Sequence, residues 1–366
     1  MMLHSQFAAS GDRKPLSLSI IVACRNESKH IRTFIRSLLT QDLDGFVWEV
    51  IVADGASEDD TRKALLDVKE KNPEFPLRVI DNPERIVSTG LNAAIHASRG
   101  EIILRMDAHT EYASDYVKRC VEALEAVDAD NVGGPARTKA DGLLPRAIEA
   151  AYHSPFSTGG ARFHDDNYTG YVDTVTYGCW RKKTLIELGL FDEKLVRNQD
   201  DELNLRLIRR GGKIWQSSGI VSWYRPRTNL STLFRQYFQY GFWKVAVIRK
   251  HRIPGSWRHL VPGFFVSANV VLLILALLGV AIGSHLLMQG GTLALSLLLV
   301  SYVLACVFAS LITARRCGWD LLIWLPITFA VFHISYGSGF LAGSIYWTFT
   351  RPGSSELGTV FAGVTR

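Results

Sequence analysis

The sequence predicts an α/β protein: a mostly parallel sheet with flanking helices, then an interfacial helix and three C-terminal transmembrane helices. Three observations predict it. Between residues 16 and 124, short apolar runs rich in β-branched residues alternate with stretches whose apolar residues recur every three or four positions, the signature of βαβ units. Those apolar runs stop at polar groups, as strands do where they meet a binding crevice. From Leu260 onward, three apolar stretches are long enough to cross a bilayer.

The 366 residues, 48% hydrophobic and 21% charged, suffice for one large domain plus something smaller and exclude a disordered chain. A net charge of +6 suits either nucleic acid or an anionic membrane surface, so the location of the basic residues decides. Cysteines 24, 120, 179, 306 and 317 are odd in number and scattered, without any C-x-x-C. They read as reduced, mostly buried thiols rather than a disulfide framework or a zinc knuckle. Residues 1–15 have no apolar core, so no secretory signal peptide is expected and the N-terminal portion is expected to begin in the cytoplasm.

Leu16 to Ala23 reads as a buried strand reaching the polar loop Cys24-Arg25-Asn26-Glu27-Ser28. Ile31, Phe34, Ile35, Leu38 and Leu39 form the stripe of a helix laid on a sheet, with Ser28 as its expected cap. Trp48 to Ala53 is a second strand ending at Asp54, and Ser57 with Asp60 resembles a capping box for the helix carrying Leu65 and Val68. Leu77 to Ile80 gives a third strand, Gly90 to Ser98 a short helix, and Glu101 to Met106 a fourth strand. Val117, Cys120, Val121 and Leu124 mark the helix after it. Beyond residue 130 the pattern is less regular. Tyr168 to Trp180, rich in Tyr, Thr and Gly, reads as acceptor-facing loops and small antiparallel strands, and Asn198-Gln199-Asp200-Asp201-Glu202 opens a helix carrying Leu203, Leu207 and Ile208.

Leu230, Leu233, Phe234, Tyr237, Phe238 and Gly241 form one apolar, aromatic stripe, with Arg235, Lys244, Arg249, Lys250 and Arg252 around or after it. This is a helix lying in a membrane interface with its basic residues toward lipid headgroups, or else a core helix with a solvated basic face. Leu260–Gly283, Leu293–Ala314 and Leu321–Trp347 are the three spans. Arg249, Lys250, Arg252 and Arg258 precede the first and Arg315-Arg316 follow the second, while the turn 284–291 has neither Lys nor Arg. Positive-inside bias puts residues 1–258 in the cytoplasm and the C-terminus outside. The basic surplus thus points to membrane lipid, and no nucleic-acid-binding pattern occurs. The expected domains are a tail (1–15), a catalytic domain (16–229), an amphipathic interfacial segment (230–258), a membrane domain (259–348) and a C-terminal tail (349–366).

The chemistry centres on Arg105-Met106-Asp107-Ala108-His109, where the fourth apolar run gives out. Ligand-type side chains at i and i+2 on extended backbone point the same way, so Asp107 and His109 can meet one divalent ion. No G-x-x-x-x-G-K-[ST] and no G-x-G-x-x-G follows the first strand. A cleft lined by Glu27, Asp54 and Asp107 binds phosphate poorly unless a metal reverses the local sign, which favours a metal-bridged nucleotide. Asp200, fixed and ionised at a helix N-terminus, is the type of group that deprotonates a hydroxyl.

Taken in order, several motifs form one set: Ser19 to Glu27, Asp54 to Thr61, Gly90 to Ile95 with Ser98-Arg99-Gly100, Asp107-Ala108-His109, Phe191-Asp192-Glu193 and Gln199 to Leu203. This set resembles the inverting family 2 glycosyltransferases with a GT-A fold. It is most similar to the membrane-attached type that builds bacterial exopolysaccharide, such as the succinoglycan glucosyltransferase group, over roughly residues 16–250 and into the membrane part. The resemblance implies that the first strand's loop, with Ala23, Arg25 and Glu27, and Asp54 hold the nucleotide, with Asn92 and Asp107 completing the donor site. It implies that Asp107 and His109 stand where the family has its D-x-D metal motif and that Asp200 is the catalytic base. Gly178, Asp201, Gln239 and Trp243 fall on the acceptor side. His109 in place of the second Asp leaves the choice between Mn²⁺ and Mg²⁺ open. Gln199 stands where the family has Glu, and Gln239 to Trp243 only partly matches the Q-x-x-R-W element of processive synthases, which argues against processive polymerisation.

The implied activity is transfer, with inversion, of a single hexose, glucose by resemblance, from a nucleoside-diphosphate sugar (a UDP-sugar by resemblance) to a polyprenyl-diphosphate-linked oligosaccharide. The expected setting is the inner (cytoplasmic) membrane, with other glycosyltransferases of the same pathway as further partners. The rival readings are a polyprenyl-phosphate hexose synthase and a non-catalytic membrane export subunit.

Overall fold

The computed structural model describes residues 16–349. The tails expected at 1–15 and 349–366 lie outside the described residues, Phe349 excepted. The first half alternates β1 (Ser17–Cys24), α1 (Ile31–Leu39), β2 (Val47–Asp54), α2 (Thr61–Lys71), β3 (Leu77–Asp81), α3 (Val87–Ala97) and β4 (Ile102–Arg105). All four strands run parallel, with β1 between β2 and β4 and β3 outermost. Successive β1 residues point to opposite faces. Ile20 and Val22 join the cluster under α1 with Phe34 and Leu38, while Ile21 joins the cluster under α3 with Leu91 and Ile95. Helices cover both faces, so the strands are continuous apolar runs.

The chain continues through β5 (Thr110–Tyr112), α4 (Tyr116–Ala126), β6 (Asn131–Gly134), α5 (Leu143–Tyr152), α6 (Pro155–Thr158), β7 (Gly170–Tyr171), β8 (Thr176–Arg181), α7 (Lys182–Leu188), α8 (Gln199–Arg209), β9 (Ile214–Gln216) and β10 (Ser222–Tyr224). β8 pairs antiparallel with both β4 and β6, so the sheet is mixed, in the order β3-β2-β1-β4-β8-β6-β9-β7, and β5 with β10 forms a separate ribbon. The antiparallel strands expected between Tyr168 and Trp180 are thus present.

Two capping expectations are corrected. Ser28 does not cap α1, whose N-cap is His30 without a side-chain bond; the Ser28 amide instead donates to Asp59 Oδ2 at 3.0 Å. Ser57 forms no capping box with Asp60, because its hydroxyl donates to Asp54 and its amide also turns toward that carboxylate. In both places a carboxylate near the crevice draws the donor away from the helix end. The α3 helix also starts earlier than Gly90, at Val87.

The C-terminal part comprises α9 (Leu230–His251), α10 (Val261–Ala281), α11 (His285–Cys317) and α12 (Leu325–Phe349). The last three are long and apolar enough to cross a membrane. The expectation for α9 is corrected in part. Much of its stripe is covered by protein: Leu233 and Gly241 are buried and Tyr237 meets Phe332 of α12 with ring centroids 4.3 Å apart, while Phe234 stays exposed. The basic Lys244 is buried too, paired with Asp201 rather than with headgroups. The reason is a close helix-helix approach, since a Cβ on Gly241 would collide with the Tyr336 carbonyl and one on Gly339 with that of Phe238. All five cysteines are free, four of them buried.

Candidate active site

The parallel register brings strand ends together. Cys24 stands beside Asp54 and Asp54 beside Asp81, while Arg105 ends β4 opposite Ile21. Asp54 is buried at the end of β2, where it accepts from Ser57 and from Arg62 Nη1 at 3.2 Å; the same guanidinium nitrogen reaches Asp81 at 2.6 Å. Arg25 crosses to Glu58 at 3.3 Å and lies over Gly55. The Glu27 amide donates to Thr61 Oγ1 at 2.7 Å. Ala23 lies at the floor, where its Cβ leaves room only for Gly90 opposite.

The Asp107 and His109 side chains meet, but not by strand alternation. β4 ends at Arg105, and a turn closed by Thr110 N to Asp107 O at 3.3 Å folds the two together. His109 Nδ1 is 2.6 Å from Asp107 Oδ1 and 3.8 Å from Glu27 Oε1. Burial would raise the Asp107 carboxyl, but the His109 imidazole and the Arg105 guanidinium outweigh it and bring it down to about 2. Burial would lower His109, yet Asp107 and Glu27 raise it. The Asp107 amide is fixed by the Tyr112 hydroxyl at 2.6 Å, and the His109 ring stands edge-on to Tyr224.

Among the described residues, no three His, Cys, Asp or Glu side chains form a ready-made metal cage. The donor set nevertheless suits a hard divalent ion shared with a ligand. One ionised carboxylate and one imidazole supply two positions, and substrate phosphate oxygens and water fill the remainder.

Asp200 opens α8 with its side chain half exposed. The Asp201 amide donates to its Oδ1 at 2.9 Å, and Arg105 Nη1 lies 3.7 Å from its Oδ2. Arg105 is buried, and its Nη1 has no hydrogen-bond partner. Its guanidinium lies over the Tyr177 ring, 5.9 Å from the centroid. This one cation therefore stands between Asp107, whose carboxyl it lowers, and Asp200.

The remaining candidates lie deeper. Asn92 is buried, and its amide bonds Phe191 N, Phe191 O and Glu193, tying α3 to that loop rather than opening to the crevice. Gly178 follows the left-handed Tyr177 inside the sheet, at φ +103°, where a Cβ would strike Trp180. Asp201 is tied to Lys244, which with His259 holds its carboxyl below the ordinary range against burial. Gln239 is buried and accepts from Arg197 Nε at 3.1 Å, and Trp243 packs on Phe242 and Trp347. Sequence reasoning passed over Arg105, Tyr177 and Tyr224 as site residues. A charged residue closing an apolar strand was the available signal for Arg105, whereas the two tyrosines arrive through chain crossings with no local mark.

Comparison with known proteins agrees with this layout. The family described as "Glycosyl transferase family 2" matches residues 19–185. The succinoglycan biosynthesis protein ExoA of Rhizobium meliloti (strain 1021) is 30% identical over 256 residues, 69% of this chain and 77% of that protein. A Methanococcus voltae protein is 26% identical over 334 residues, 90% of this chain and 97% of its own. It is the dolichyl N-acetyl-alpha-D-glucosaminyl phosphate 3-beta-D-2,3-diacetamido-2,3-dideoxy-beta-D-glucuronosyltransferase. Among solved structures, the mannosyltransferase PcManGT from Pyrobaculum calidifontis, in complex with GDP-Man and Mn2+, superposes with a TM-score of 0.56 at 18% identity, covering 88% of this chain and 86% of that one. That likeness shows a shared GT-A-like fold.

Proposed function

The chain belongs to glycosyl transferase family 2, and on that premise we propose that it moves a single hexose, with inversion, from a nucleoside-diphosphate sugar to a saccharide carried on a polyprenyl diphosphate. Its relatives act in exopolysaccharide and lipid-linked glycan synthesis. The observation that carries the reading is the arrangement around Arg105. Asp107 with His109 lies on one side at the sheet's carboxyl edge, and the half-exposed Asp200 lies on the other, beside the helix that joins the membrane part.

In this reading an Asp200 oxygen takes the proton of an acceptor hydroxyl. The freed oxygen attacks the anomeric carbon from the face opposite the diphosphate, the bond to the diphosphate breaks, and the electron pair leaves on phosphate. A divalent ion held by Asp107 and His109 would neutralise charge on that leaving group. Asp54 and the Arg25–Glu27 loop hold the nucleotide. Arg105 holds Asp200 aimed, its burial strengthening a contact that water would weaken. Asp201 is unsuited as the base because Lys244 already occupies it. The Methanococcus voltae relative, by its name, acts on a sugar already attached to a lipid phosphate, which supports a lipid-linked saccharide as acceptor. Inner-membrane attachment with residues 16–229 on the cytoplasmic side accords with Arg258, Arg315 and Arg316 flanking the apolar helices.

The test is detergent-solubilised full-length protein with Mn²⁺ or Mg²⁺, a panel of UDP- and GDP-hexoses, and two acceptors: polyprenyl-diphosphate-linked saccharide and bare polyprenyl phosphate. Mass spectrometry should show one hexose added to the first. A hexose on the bare phosphate replaces this reading by the hexose synthase, and no sugar-nucleotide binding or turnover at all would favour an export subunit.

A further inference from the structure

The three apolar helices are not equivalent in their surroundings. α10 shows large apolar side chains right round its circumference: Val261, Phe264, Val271, Ile274, Leu278 and Val280 are all exposed. On α12 the exposed large apolar residues are Ile327, Ile334, Ile345 and Phe349. At 100° per residue these fall on one stripe about 60° wide. The opposite face is buried along its whole length.

What buries it is the catalytic part together with α9, with the start of α10 and the last part of α11 beside them. At its start, α12 clusters with Ala147, Ile148 and Ala151 of α5 through Leu325 and Phe329. One helical turn later His333 Nε2 bonds the Phe156 carbonyl at 2.9 Å. From Phe332 to Trp347 it lies against α9, whose own far side is fastened to the catalytic domain by Gln239 to Arg197, Asn198 to the Tyr240 carbonyl, Lys244 to Asp201 and Lys250 to Asp192.

A 25-residue helix is about 37 Å long. Were α12 to cross an apolar layer about 30 Å thick, one end would stand that far from the domain; instead both ends lie within one helix layer of it. Nor can α9, carrying Arg235, Lys244, Arg249 and Lys250, enter that layer alongside it.

α10 and α11 behave differently. Arg258, paired with Asp173, fixes the start of α10 at the domain. The end of α11 is fixed by Thr313 to Ser154 at 3.5 Å and by Arg146 to Asp320 at 2.6 Å in the turn that follows. Between these anchors the two helices run out and back, packed at Gly279 against Met288 and at Gly291 against Ala276. The exposed Trp257 lies just before the start of the hairpin, where an aromatic belt belongs.

We infer that only α10 and α11 cross the bilayer, as a hairpin, and that α12 lies in the plane of the membrane beside α9, its Ile327–Phe349 stripe dipped into lipid and its far end on the catalytic side. Over the described residues the chain then passes the membrane twice, and Phe349 lies on the same side as the catalytic domain, against the three-span expectation. The inference concerns topology and stands whether or not the proposed acceptor is right.

The test is labelling of introduced cysteines in the full chain in sealed membranes of both orientations, with a membrane-impermeant maleimide, Cys317 replaced by Ser and the four buried cysteines left in place. His285→Cys, at the hairpin tip, should label from the face opposite the catalytic domain, and Thr348→Cys, a polar exposed position at the end of α12 that is not one of the stripe residues, from the catalytic face. Leaving Cys317 in place reports the catalytic face directly. Labelling of Thr348→Cys and His285→Cys from one face overturns the inference. A second measurement needs no substitution: a fluorescent and an alkaline phosphatase reporter are fused in turn after Arg366. Fluorescence without phosphatase activity is expected, and phosphatase activity overturns it.

Discussion

Two acidic regions face each other across Arg105, and they are built on opposite plans. On the donor side, Glu27, Asp107 and His109 converge at strand ends with their side chains still partly open to solvent. On the side of α8, the carboxylates are matched by cations from a neighbouring helix. Asp201 has Lys244, Glu202 has Lys250 and His251 as well as Arg206 of its own helix, and Asp192 has Lys250. The first region keeps its charge for a ligand. The second uses charge as a joint, fastening α9 to the start of α8. Asp200 belongs to the second region by position and to the first by behaviour, since it is the acidic residue of that helix turn left half exposed.

The contrast is broken most sharply at Asp200. Asp200→Asn should lower turnover by about 10³-fold or more, the range for losing a general base, while the affinity for UDP or GDP with Mn²⁺ stays within a factor of about two. Asp201→Asn should leave most turnover in place. If the two variants exchange these outcomes, the base is Asp201 and the joint is misassigned.

Lys244→Met tests the joint itself. It leaves the half-buried Asp201 without its cation, and removing one partner of a buried pair costs about 3–5 kcal/mol, nearer ~2 here because Asp201 is about one-third exposed. A lower melting temperature in detergent is expected, with recovery in the Lys244→Met, Asp201→Asn double variant, since the stranded charge is then gone. No recovery would mean that Lys244 serves through its packing stem alone.

How far each region was legible in the sequence follows the same division. The donor side was readable because parallel strands place chemistry at their ends: the run Ile20 to Ala23 fixed a strand, and Asp54, Asp107 and His109 had to follow such ends. Even there, the meeting of Asp107 with His109 comes from a turn, which spacing could not distinguish from extended backbone. The α8 joint was not legible. Lys244 and Lys250 read as headgroup-facing because a basic residue beside an aromatic stripe has that meaning when nothing else is known to cover it. What covers α9 is α12, brought across the domain by a long excursion through α10 and α11, and the signal lay in Gly241 and Gly339, whose missing side chains permit the contact. Asn92, Gly178, Gln239 and Trp243 were drawn toward the site by motif position, and the structure gives each a packing task that burial explains.

On the donor side, Asp107→Ala should weaken metal-dependent binding of UDP or GDP by about tenfold or more, roughly 1.4 kcal/mol, and should also lower the melting temperature of the ligand-free protein, because the depressed carboxylate paired with His109 stabilises the fold. Titration calorimetry with and without Mn²⁺ separates the two. An unchanged difference between those titrations would remove Asp107 from the metal site.

The smallest expected effect lies at the rim of the donor side, where Asp59 binds the first-strand loop to α2. Burial would raise its carboxyl, but hydrogen bonds from Thr61 Oγ1, the Thr61 amide and the Ser28 amide bring it from 3.8 down to about 2. A carboxylate whose folded value is depressed contributes stability above its unfolded value and loses it as pH falls toward the folded one. The Asp59 contribution is therefore complete above about pH 4 and gone near pH 2. Asp59→Asn should lower the melting temperature slightly at pH 7 and make its decline between pH 4 and pH 2 shallower than in the unaltered chain, with the Lys244–Asp201 joint untouched. Melting curves that fall in parallel over that window would show that the Asp59 hydrogen bonds make no net contribution, and that the donor rim is held by its backbone rather than by charge.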